Sequence, residues 1–103
     1  MAIAHYANGE WQTVAVTPFS ALTLHPESKC FQYKQTILEG MEAFKTLKGR
    51  IFLFRPKENA RRFNQSASRI AMHELPEELF VDMVKALVWV ERDWFPRGEG
   101  SRL

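Results

Sequence analysis

Two prolines, each opening a stretch with an apolar stripe, constrain this chain more than any other feature. Pro56 follows the apolar run Ile51–Phe54 and stands where a helix begins, at a position whose N–H has no partner in any case. Glu58 suits the positive end of that helix. Ala60, Phe63, Ala67, Ile70 and Ala71 then recur on one helical face. Leu75-Pro76 starts a second helix, with Glu77 and Glu78 in its first turn and Leu79, Phe80, Met83, Val84, Leu87 and Val88 turned inward. Its polar stripe is Glu78, Asp82, Lys85 and Arg92, and Trp89 falls on that stripe. Pro96 and Gly98–Gly100 end the patterned part.

The first half reads as strands. Asn8-Gly9, between Ile3–Ala7 and Trp11–Val16, is a hairpin signal, because both turn positions need positive φ. Pro18 ends the second strand. Residues 20–30 form a surface connection. In residues 31–47, FQYKQTILEGMEAFKTL, a short helix gives way at Gly40 to a strand over Met41–Leu47. Lys48-Gly49 turns the chain into a returning strand, Arg50–Arg55, and four consecutive apolar residues predict burial on both its faces. Strands followed by two helices make an α+β domain with a mostly antiparallel sheet.

The 103 residues suffice for a single domain, 1–103, and 46% apolar against 25% charged residues supports a packed core. A net charge of +2 with no basic run argues against a nucleic-acid partner. The longest apolar run, Ala86–Val90, is far short of the ~20 residues that span a bilayer. No charged-then-apolar leader pattern opens the chain. A lone Cys30 excludes an internal disulfide and fits a reducing, cytoplasmic location. His5, His25 and His73 lack metal-ligand spacing, so no metal is expected.

No catalytic constellation emerges from the residues themselves. Glu39 and Glu42 read as a pair of surface acids. Arg62 and Arg69, seven apart with Ser66 between them, could bind an oxyanion, although composition alone favours a solvated helix face. Arg55 adds charge nearby and Arg61 points elsewhere. Tyr33 suits either a cleft or a core. Phe31, Leu38, Phe44, Phe52 and Phe54 suit either a pocket wall or a core.

A longer pattern runs through Leu24-His25-Pro26-Glu27-Ser28, Tyr33-x-Gln35-Thr36-Ile37-x-Glu39-Gly40-Met41-x-Ala43-Phe44-Lys45 and Gly49–Pro56. It continues through Glu58-Asn59-Ala60-x-Arg62-Phe63, Ser66-Ala67-x-Arg69, Glu74–Phe80 and Arg92–Pro96. This pattern resembles the branched-chain amino acid aminotransferases, pyridoxal-phosphate enzymes of fold-type IV, and in particular their small N-terminal domain. The resemblance implies a parent reaction that moves an amino group between leucine, isoleucine or valine and 2-oxoglutarate. It implies that Arg62 binds the cofactor phosphate, that Tyr33 and Leu38 line the substrate side-chain pocket, and that Gly40 lets backbone approach the substrate. Leu38 replaces the usual Phe, Lys34 a usual Gly or other small residue, and Glu42 a common Lys or Arg. A Lys34 at positive φ would strain its turn.

None of the six lysines matches the family's cofactor-bearing lysine, which lies in a larger second domain, so no catalytic residue is expected in this chain. The expectation is a small domain or fragment that binds no cofactor tightly and is inactive alone, and that forms a homodimer to cover exposed apolar surface and an open sheet edge. The alternative is a stand-alone, non-catalytic interaction module derived from a truncated aminotransferase, or a remnant with no selected role.

Overall fold

The computed structural model describes residues 1–96 and 102–103. The element order is β1 (Ala2–Ile3), β2 (Tyr6–Ala7), β3 (Glu10–Trp11), β4 (Ala15–Val16), α1 (Lys29–Gln32), β5 (Ala43–Lys45), β6 (Ile51–Leu53), α2 (Pro56–Arg69) and α3 (Glu77–Val90), with a 3-10 turn at Arg92–Trp94. The fold is α+β, with two long consecutive helices behind antiparallel strands. The strands form three two-stranded ladders, β1–β4, β2–β3 and β5–β6.

The N-terminal hairpin forms as its turn residues require. Asn8 and Gly9 take φ of 56° and 84°, the all-positive pair that matches strand twist. Tyr6 then faces Trp11 and Ala7 faces Glu10. The indole of Trp11 donates to the Glu74 carbonyl at 2.8 Å, and the Tyr6 ring stacks on His73 with centroids 3.9 Å apart. The hairpin is thereby docked onto the α2–α3 link.

α2 and α3 pack through small residues. Ala60 and Ala67 are fully enclosed, which lets the helices approach, and Phe63 meets Phe80 with centroids 5.4 Å apart. Ala43, Leu75, Val81 and Phe95 complete the buried core. The six positions expected to turn inward on α3 are only half-buried, and Val81 is its one buried residue among those described. The link between the helices is fixed by Asn64, whose amide donates to the Leu75 carbonyl at 2.7 Å while its oxygen accepts the Leu75 N–H at 2.9 Å.

Three expectations need correction. α2 stops at Arg69, and Ala71 is exposed at φ 54°. The Ala71 and Met72 N–H groups return to the Ser68 and Ala67 carbonyls, a Schellman close with alanine where glycine is usual. The short helix covers only Lys29–Gln32, and residues 36–42 reach β5 without helix or strand rather than helically to Gly40. The apolar run of β6 is not buried on both faces: Phe52 is 48% and Phe54 69% exposed, because no layer among the described residues covers that side of the β5–β6 ladder. Gly98–Gly100 lie outside the described residues.

Candidate functional site

The site grows from the first two turns of α2 and the extended segment before β5. Asn59 and Arg62, three apart, project from one helix face toward Glu39. The Arg62 Nε donates to Glu39 Oε2 at 2.8 Å, and its Nη2 donates to Oε1. The Asn59 amide donates both to Glu39 Oε1, at 2.9 Å, and to the Gly40 carbonyl, at 3.0 Å. The Glu39 side chain is 6% exposed and that of Arg62 is 64% exposed. Arg62 thus has one edge fixed in a fork against a buried carboxylate and its outer edge in solvent.

Electrostatics follow from that geometry. The Arg62 hydrogen bond holds the Glu39 carboxyl below the usual carboxylate range, against the opposing cost of burial and with help from Asn59. Arg62 is pushed up in return, by its hydrogen bond to Glu39 and then by the charge itself.

Glu39 and Glu42 are therefore not a pair of surface acids. Glu39 is the enclosed anchor of Arg62, while Glu42 is half-exposed and faces Arg102 at 3.4 Å. Nor does the structure unite Arg62, Ser66 and Arg69. The Ser66 hydroxyl turns back to the Arg62 carbonyl at 3.1 Å, and Arg69 lines a different depression with Arg61 and Glu74. Arg61 indeed points elsewhere, to Glu58 at 2.5 Å and Glu77 at 3.5 Å.

Beside this network lies an open depression of about 600 Å³ lined by Gly40, Met41, Glu42, Phe44, Phe54 and Asn59. A Cβ built on Gly40 meets nothing within 4 Å, so the bare backbone there faces open space. Leu38, next to Glu39, is 93% exposed, and Tyr33 is 78% exposed in a separate hollow with Lys34, Gln35 and Ile70. The Tyr33–Leu38 segment is tethered by Gln35, whose amide donates to the Ile70 carbonyl at 2.7 Å, at the end of α2. Lys34 does take positive φ, 53°. Asn59 is the one network member that the residue types did not single out. Its three-residue spacing from Arg62, at the flank of the apolar stripe of α2, is the signal that could have found it.

Comparison with known proteins decides the lineage. The chain is 39% identical, over 104 residues and its whole length, to branched-chain-amino-acid transaminase 1 of Bacillus subtilis, and covers 29% of that protein. This chain is related to the branched-chain aminotransferases. The Haemophilus influenzae branched-chain-amino-acid aminotransferase is also 39% identical, over 98% of the chain and 30% of its own length. That of Mycolicibacterium smegmatis is 37% identical over 88% of the chain and 25% of its own length. The chain thus spans well under a third of the aminotransferases it matches. No protein-family model matches it.

Proposed function

We propose that this chain forms the N-terminal small-domain part of a pyridoxal-phosphate-dependent branched-chain aminotransferase, acting on leucine, isoleucine or valine with 2-oxoglutarate, and that it is inactive alone. The observation that supports the reading most is the Glu39–Arg62 fork. It presents a guanidinium whose inner edge is held and whose outer N–H groups remain able to donate to a dianion. The residues present therefore fit one cationic ligand of a cofactor phosphate.

When bound, that cofactor supplies the electron sink for moving an amino group between carbon skeletons. In this reading Arg62 grips the phosphate, Glu39 sets the plane of the guanidinium, and Asn59 locks Glu39 to the Gly40 backbone. Gly40 leaves room for substrate in the depression it lines, whereas Leu38 and Tyr33 lie outside that depression. Phe44 and Phe54 form an apolar floor that keeps water out once covered. We also propose a homodimer in a reducing, cytoplasmic setting, since Phe52, Phe54 and Leu38 leave an aromatic and aliphatic face bare.

Titration of the chain with inorganic phosphate, followed by NMR of the arginine side-chain Nε–H signals, tests the site. The Arg62 signal should move first, with roughly millimolar affinity, since Glu39 already neutralises part of its charge. Equal shifts at all eight arginines would mean that no such site exists.

A further inference from the structure

A groove of about 760 Å³ separates β6 from the C-terminal half of α3. All five residues from Gly49 to Leu53 line it together with Lys45 of β5, so it follows β6 and also reaches beneath the face that Lys45 shares with its cross-strand partner Ile51. The register shows which backbone groups it exposes. Ala43 exchanges both hydrogen bonds with Leu103, N to O and O to N, each at 2.9 Å. The Ala43 backbone therefore points away from β6, and its partner Leu53 points away from β5. Ile51, two residues earlier, does the same. The N–H and C=O groups of Ile51 and Leu53, two residues that line the groove, thus point to the outer edge of β6, with no strand beside them among the described residues. The open edge of this sheet is that of β6, since Arg102–Leu103 already sit on β5.

The far wall is Val88 and Trp89 of α3, with the indole 66% exposed. The Arg92 guanidinium lies over that indole, 4.5 Å from its centroid. The rim is cationic on both sides: Lys45 and Arg50 on the hairpin, Lys85 on α3 and Arg92 in the 3-10 turn after it, against Asp93. Lys85 shares its charge with Asp82 at 3.6 Å. Among the described residues, Lys45, Arg50 and Arg92 have no carboxylate within ion-pair distance.

We propose that this groove accepts an extended acidic segment of a partner protein as a strand added to β6. Unpaired ladder groups at Ile51 and Leu53 supply the main-chain bonds. Val88 and Trp89 take apolar side chains that alternate toward the helix, and the cationic rim selects acidic neighbours. A second copy of the chain is the poorer occupant. Antiparallel pairing of two β6 edges sets Arg50 of one copy beside the Phe54-Arg55 end of the other, and like charges in close cross-strand positions repel.

The test is titration of the chain with a blocked hexapeptide alternating glutamate and valine. The Ile51 and Leu53 amide signals should shift together and their hydrogen exchange should slow, while the Trp89 emission changes. A hexapeptide of lysine and valine, and a glutamate–valine peptide N-methylated along one edge, should each bind at least about tenfold more weakly. The double variant Lys45→Glu, Arg92→Glu should reverse the preference between acidic and basic peptides. Raised salt should weaken the native interaction whether or not that variant folds. Equal binding of all three peptides, or shifts confined to the Phe44–Phe54 face, would overturn the proposal. So would protection of Ile51 and Leu53 that depends on protein concentration and needs no peptide, since a second copy would then fill the edge.

Discussion

At the level of single residues, Asn8, Lys34, Arg55 and Ala71 all take positive φ, and Lys34 and Arg55 flank segments that build the site. For Lys34 and Arg55 this conformation costs about 1 kcal/mol or more each, since both carry a Cβ. The first lies in the segment that carries Tyr33 and Leu38, the second immediately before α2. Glu39 has the clearest solution signature. Its folded-state pKa is depressed, so the stability it contributes is fully present above the ordinary glutamate pKa. That contribution shrinks as pH falls through the lowered value, where the carboxylate takes up a proton and the Arg62 fork is lost. Urea midpoints measured from pH 7 downward should therefore fall more steeply for the native chain than for Glu39→Gln. Parallel pH profiles would show that the fork contributes nothing. Arg62 itself was visible in the sequence only through family resemblance, because charge and helical spacing alone described a solvated face. Its partner was not visible: a carboxylate 23 positions away carries no local pattern, and Gly40 beside it argues for an irregular backbone rather than a pairing.

At the scale of elements, patterns that rest on backbone chemistry were legible and those that rest on long-range layers were not. Asn8-Gly9, Gly49, Pro56 and Pro76 placed the turns and helix starts because each restricts φ or removes a donor locally. The apolar run of β6 misled because continuous hydrophobicity signals burial by some neighbour without saying whether this chain supplies it. Among the described residues, Phe44 and Phe52 stack only on each other, with centroids 5.5 Å apart. The end of α2 misled for a different reason: the apolar period continues through Ala71 while the backbone has already reversed. The joint between the long helices depends on Asn64, since Leu75 is 7% exposed and both its backbone groups rely on that side chain. Asn64→Ala should lower unfolding free energy by about 2–3 kcal/mol, the cost of two orphaned buried groups. A change below about 0.5 kcal/mol in a urea melt would mean that water replaces the amide.

For the whole molecule, the described residues leave one aromatic face bare beside the Arg62 network and one strand edge open beside α3. An elongated body, 47 × 28 × 23 Å, with so thin a core gains by covering that aromatic face. Sedimentation at micromolar concentration should therefore show a dimer that Phe54→Ser weakens, and a monomer of 12.0 kDa at all concentrations would contradict this. Lineage and site can be tested together by transplantation. This chain should be exchanged for the matching stretch of the Bacillus subtilis transaminase, and the purified chimera assayed with leucine and 2-oxoglutarate after its fold and cofactor absorbance are confirmed. Measurable amino transfer is expected, falling at least about a hundredfold in the Arg62→Ala chimera. A folded, cofactor-loaded chimera with no transfer, or one that Arg62→Ala leaves unchanged, would contradict it.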